Sequence, residues 1–122
     1  MYPPPTTRRQ LGDAGEDLAA SALKRQGYKI LERNYLAPLG EIDLIARQGK
    51  ALVFIEVKTR RGERFGAPQE AVSLSKQNRL RRLADYYLKE KRLGAEEVVR
   101  FDVVGITVDE KGPRIEIIQN AF

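Results

Sequence analysis

Neither cysteine nor histidine occurs among the 122 residues. Without thiols the chain forms no disulfide, thiolate nucleophile or thiolate metal site, and without imidazole it lacks the commonest general base and the commonest transition-metal ligand. Any metal site must be built from oxygen, which favours Mg²⁺, Mn²⁺ or Ca²⁺ over zinc or copper. There is no apolar run approaching the roughly 18 residues that a membrane helix needs. The opening MYPPPTTRRQ has no apolar core of a secretory signal, and its run of prolines cannot start a helix. These absences predict a soluble, cytoplasmic protein, with a flexible lead-in over residues 1–9 and one domain over residues 10–122.

What is present fits an ordered, basic domain. Hydrophobic residues make up 42% and charged residues 32%, the balance of a globular chain. Lys and Arg number 22 against 17 Asp and Glu, a net charge of +5 that suits a polyanionic partner. Leu11, Ala14, Leu18 and Ala22 recur at helical spacing between Arg8 and Gln26, and Gly27 is a natural stop. Strands are expected over Tyr28 to Tyr35, Gly40 to Arg47 and Ala51 to Thr59. The short Gln48-Gly49-Lys50 link forces the last two into an antiparallel hairpin. A basic loop, TRRGERFGAP, and a helical turn near Gln69 to Leu74 lead to a helix over Lys76 to Lys91. That helix would be capped by Ser75 and carry the stripe Leu80, Leu83, Ala84, Tyr87 and Leu88. Strands over Val98 to Val108 and Arg114 to Ile118 complete an α/β pattern, a mixed sheet with helices packed on it.

The chemistry gathers on the hairpin. Alternation puts Leu52, Phe54, Glu56 and Lys58 on one face of the third strand and Val53, Ile55 and Val57 on the other. A strand apolar on both faces is covered on both sides, so Glu56 and Lys58 stand at the end of a buried strand. In the preceding strand Glu41, Asp43 and Ile45 should face one way and Ile42, Leu44 and Ala46 the other, which sets Asp43 beside Glu56. Two such carboxylates about 5.5 Å apart repel by about 3 kcal/mol at an effective dielectric near 20, unless a metal or Lys58 neutralises them. The plain alternative is a solvated ion-pair patch at a sheet edge. Asp102, inside a valine-rich strand, reads as structural.

The stretches LGDAGEDLA, GEIDLIA, FIEVKTR, FGAPQEAV, SKQNRL and RFDVV, in this order between about Gln10 and Ile106, resemble the YraN-like bacterial family of the PD-(D/E)XK nuclease superfamily. Its relatives include Holliday-junction resolvases. The resemblance implies a restriction-endonuclease-like fold, a mixed central sheet flanked by helices, and a phosphodiester-cleaving activity on DNA with Mg²⁺ or Mn²⁺. It matches Asp43, Glu56 and Lys58 to the superfamily's triad, and Glu16 to an acid that the resolvase branch carries on its first helix. Ile42 stands where the name-giving proline would be. Helix geometry supports Glu16 separately, because it lies about 20° from Leu23 at the edge of the apolar stripe.

On this basis Asp43, Glu56 and the Val57 carbonyl are expected to hold the ion. Lys58 would stay protonated, and either orient water or stabilise charge on the phosphate. Glu41 is either a further acid of the site or a solvated one. Arg60, Arg61, Arg64, Lys76, Arg79 and Arg82, with the amides of Gln69 and Gln77, would meet the nucleic-acid backbone. A homodimer would pair two sites on one branched substrate. The same residues also suit a nucleic-acid-binding module without turnover, or an interaction domain of a DNA-processing assembly.

Overall fold

Connections of two residues, Pro38-Leu39 and Gly49-Lys50, compel the chain to reverse on itself twice, and Gly49 takes the left-handed backbone (φ 57°) that the second reversal needs. A computed structural model of the chain describes residues 8–61 and 67–122. Helix α1 (Arg8–Arg25) precedes the meander β1 (Lys29–Ala37), β2 (Gly40–Gln48) and β3 (Ala51–Arg61). A single 3-10 turn at Pro68–Ala71 leads to α2 (Leu74–Glu90), and the hairpin β4 (Val98–Asp109) and β5 (Gly112–Ile118) follows. The strands form one sheet in the order β1-β2-β3-β4-β5. All neighbours are antiparallel except β3 and β4, whose parallel pairing requires the crossover that α2 supplies. The fold is thus α/β with a mixed central sheet flanked by helices, as the sequence predicts.

Each sheet face buries its own core. Ala19 and Leu23 of α1, with Tyr28, cover Leu44, Ala46, Val53, Ile55, Val104 and Ile106. Leu80, Leu83, Ala84 and Tyr87 of α2 cover Tyr35, Ile42, Ile45, Leu52, Phe54 and Val103 on the other side. Leu52, Val53, Phe54 and Ile55 are all buried, so β3 is covered on both faces as its sequence predicts.

Two glycines let the flanking elements come close. A methyl group at Gly15 would sit 2.0 Å from the Thr59 hydroxyl, and one at Gly105 would sit 2.3 Å from Pro68 Cγ. Gly15 therefore seats α1 on β3, and Gly105 seats the 3-10 turn on β4.

Several boundaries differ from expectation by one to three residues, among them those of β1, now Lys29–Ala37, and α2, now Leu74–Glu90. Helix α1 begins at Arg8, where the spacing predicts it, and residues 1–7 lie outside the described residues. Strand β3 continues to Arg61, with Arg60 and Arg61 opposite Thr107 and Val108 of β4, because the parallel ladder supplies partners beyond Thr59. Ser73, and not Ser75, caps α2: its hydroxyl accepts the Lys76 backbone N–H at 3.2 Å, whereas Ser75 already lies inside the first turn. Finally, β5 starts at Gly112, two residues early.

Candidate functional site

The register of β1 on β2 shifts between Ile30 and Glu32, and strand alternation fails again nearer the tip of that pair, where the site is built. Ile42 packs with Ile45 in the core under α2, while Leu44 packs in the core under α1. Residues two apart have moved to opposite faces. Across the ladder, Tyr35 and Arg33 lie opposite Ile42 and Leu44, and Asn34 between them has φ 52°. A left-handed residue reverses the pleat, and asparagine tolerates that conformation better than most side chains. The expected common face for Glu41, Asp43 and Ile45 is therefore corrected: Glu41 follows the α1 side and Ile45 the α2 side. The register of β2 with β3 runs from Gln48↔Ala51 to Leu44↔Ile55 and goes no further, so Asp43 and Glu56 are not ladder partners.

Asp43 occupies the seam where the two strands part. Its Oδ2 accepts the Val57 backbone N–H at 2.8 Å. On the α1 side, carboxylate oxygens of Glu16, Glu41 and Asp43 all lie within 4.8 Å of one another. The Asn34 amide, oriented with its nitrogen toward these acids, donates to Glu16 Oε1 at 2.5 Å and Glu41 Oε1 at 2.7 Å. Burial, then the Glu56 carboxylate, then Glu16 and Glu41 push Asp43 up to about 7 against the pull of the Val57 N–H. Burial and the Glu41 carboxylate also raise Glu16, with Arg33 pulling the other way.

Glu56, on the α2 side, meets cations. Its Oε1 lies 3.1 Å from Lys76 Nζ and 3.9 Å from Lys58 Nζ. Burial, followed by the hydrogen bond and charge of Lys76, pushes Lys58 down, against the attraction of Glu56 and Asp43. Burial also works against charge on Lys76, but the Lys58 hydrogen bond and the Glu56 and Asp43 carboxylates outweigh it and hold Lys76 up. Of the two lysines, Lys76 stands nearer the Glu56 carboxylate.

The remaining expected residues are spread around this centre. Arg60 is half-buried and Arg61 exposed at the end of β3, and Arg64 lies outside the described residues. Arg79 and Arg82 are exposed on α2, and a methyl group added at Gly40, at the start of β2, would sit 4.0 Å from Arg79 Cδ. Lys76 turns inward to Glu56. The Gln77 amide donates to the Val72 carbonyl at 3.1 Å, and Gln69 Oε1 is buried with no hydrogen-bond partner among the described residues.

Sequence reasoning did not single out Asn34, whose signal is a lone amide inside an otherwise regular strand. It also left undecided Glu41, which belongs to the acidic trio, and it assigned Lys76 to the nucleic-acid backbone and not to Glu56. Asp102 is fully buried and saturated: Tyr28 Oη, Arg100 Nε and Nη2, and the Asn120 backbone N–H all donate to it at 2.7–2.9 Å. It is structural, as expected.

An all-carboxylate donor set, gathered at a half-buried seam with one member held near 7, has the chemistry of a site for a hard dication. Among the described residues, no helix is long and apolar enough to cross a membrane.

Comparisons with known proteins agree with the motifs. A "UPF0102 protein" of Moorella thermoacetica is 52% identical over 118 residues, covering 95% of this chain and 98% of its own. One from Symbiobacterium thermophilum is 54% identical, covering 93% and 97%. Among solved structures, Pyrococcus furiosus SfsA in complex with Ca²⁺ aligns with 91% of this chain at 15% identity and a TM-score of 0.38, this chain spanning 62% of that one. The model of the "Uncharacterised protein family UPF0102" matches residues 15–106, and the chain belongs to that family, the YraN-like group.

Proposed function

We propose that the chain is a divalent-metal-dependent endonuclease that hydrolyses phosphodiester bonds in DNA, including branched or structured DNA. The observation that carries this is the convergence of Glu16, Glu41 and Asp43 within 4.8 Å at a half-buried strand seam, with two lysines on the neighbouring Glu56. Asp43 and Glu56, with Glu16 and Glu41 adjoining, are the residues to hold Mg²⁺ or Mn²⁺. Such an ion, when bound, polarises a phosphate and acidifies water.

The chain's own groups do the rest. Lys58 stabilises charge developing on the phosphate or orients the attacking water. Arg60, Arg61, Arg79 and Arg82 grip the backbone of the nucleic acid and so read shape and charge rather than base sequence. A symmetric pair of chains would present two such sites to one branch, giving a dimeric mass in solution.

The test is incubation of branched, flapped and linear DNA with Mg²⁺ or Mn²⁺. Metal-dependent cuts by the native chain, abolished in Asp43→Ala, are expected. Tight binding without cuts would overturn catalysis in favour of a binding module, and neither binding nor cutting would favour an interaction domain.

A further inference from the structure

Lys76 stands where a cation does nothing for its own helix. It is the third residue of α2 after the cap Ser73, in a first turn that carries no acid. The partial positive charge of a helix N-terminus favours acids there, and a capping box would place Glu or Gln at this position. The Ser73 hydroxyl fixes the Lys76 backbone at 3.2 Å while the side chain crosses to β3. There Nζ lies 3.1 Å from Oε1 of Glu56, a carboxylate only 8% exposed. Lys58, on the same strand as Glu56, stands farther off at 3.9 Å.

We infer that Lys76 is the internal counter-ion of the site: it holds Glu56 when no dication is bound, and must release that carboxylate before Glu56 can ligate one. This rests on the metal-dependent reading above. An oxygen gripped by an ammonium cannot also serve a dication without two like charges meeting at close range, so the two cations compete for Glu56. Lys76 lies one turn before Arg79, an exposed arginine of the same helix. A phosphate oxygen is the acceptor that chemistry offers the released ammonium. Metal and nucleic acid then favour each other's binding through one side chain, which makes Lys76 a positioning residue that acts through Glu56.

Calorimetric titration with Mn²⁺ alone, at fixed pH and without nucleic acid, tests this on the native chain and on Lys76→Met, Lys76→Arg, Lys58→Met and Lys111→Met. Removing the competitor should tighten Mn²⁺ binding about tenfold in Lys76→Met, with a smaller change in Lys58→Met. Lys76→Arg, which keeps the charge, and Lys111→Met, at an exposed lysine in the turn between β4 and β5, should stay within about twofold of the native chain. Lys76→Met should also melt earlier in EDTA and recover with Mn²⁺; if it does not fold, Lys76→Gln is titrated in its place. Native-like or weaker Mn²⁺ affinity in the charge-removed variant, with the native chain binding the ion, overturns the counter-ion role and leaves the metal site standing. Absence of Mn²⁺ binding by every variant overturns both.

Discussion

Asp43 receives one backbone hydrogen bond, from the Val57 N–H at 2.8 Å, at the point where β2 and β3 stop pairing. Asp102, in the same sheet, receives hydrogen bonds from four donors. A buried carboxylate satisfied by protein donors is finished as structure, whereas Asp43, with one donor among the described residues and other acids around it, is poised for a cation. Because the Asp43 carboxyl is pushed from 3.8 in the unfolded chain to about 7 in the folded one, the folded state binds more protons between those values. The stability this group contributes is therefore present below about pH 4 and is lost as pH rises through 7. Urea melts in EDTA should show metal-free stability declining across that window by about 2–4 kcal/mol, with Asp43→Asn flattening the decline. Mn²⁺ should stabilise the native chain at pH 8 and leave Asp43→Asn nearly unmoved.

The amide of Asn34 and its backbone do separate jobs. Asn34→Gly keeps a left-handed backbone accessible but removes the donor between Glu16 and Glu41. Asn34→Ala removes both, and should be less stable than Asn34→Gly by about 1 kcal/mol in chemical denaturation. Both should weaken Mn²⁺ binding about tenfold, the usual scale for losing a group that orients metal-binding side chains.

Gly15→Ala drives a methyl group into Thr59 and should destabilise the fold by about 1–3 kcal/mol. Glu16 follows directly in α1, so Mn²⁺ affinity should fall with it. Gly15→Ala combined with Thr59→Ala should recover part of both losses, because the hydroxyl in closest contact is then gone. Additive losses in a double-mutant cycle would show that the contact is not the cause.

Exposed arginines on α2 predict binding that depends steeply on salt. On duplex DNA the logarithm of the binding constant should fall with the logarithm of salt concentration by about 0.9 for each phosphate contacted. Arg79→Ala and Arg82→Ala should each reduce that slope by about one contact, measured by fluorescence anisotropy.

The fold was legible in the sequence because its signals are local. Period-3.6 stripes, two-residue links and a strand apolar on both faces each admit few arrangements. The site was legible by residue type more than by placement. Period-two alternation cannot register a left-handed residue within a strand, so the reversal at Asn34 carried Glu41 and Ile45 to opposite faces unannounced. Lys76 was legible in principle: it precedes Leu80 by four and Leu83 by seven, on the inward stripe of α2, while Arg79 and Arg82 flank that stripe. Its positive charge suits a phosphate as well as a carboxylate, and only the depth of Glu56 beneath the helix reveals why it turns in.

Because the pleat reverses at Asn34 in β1 and again beside it in β2, the length of the tip between Asn34 and Asp43 is as constrained as its chemistry. Dropping or adding one residue there would rotate Glu41 by half a turn about its strand, away from Glu16, while the hydrophobic layers on either side could still assemble. Such an indel would yield a folded protein with a dispersed acidic trio, a lesion that no scan of single substitutions would reproduce.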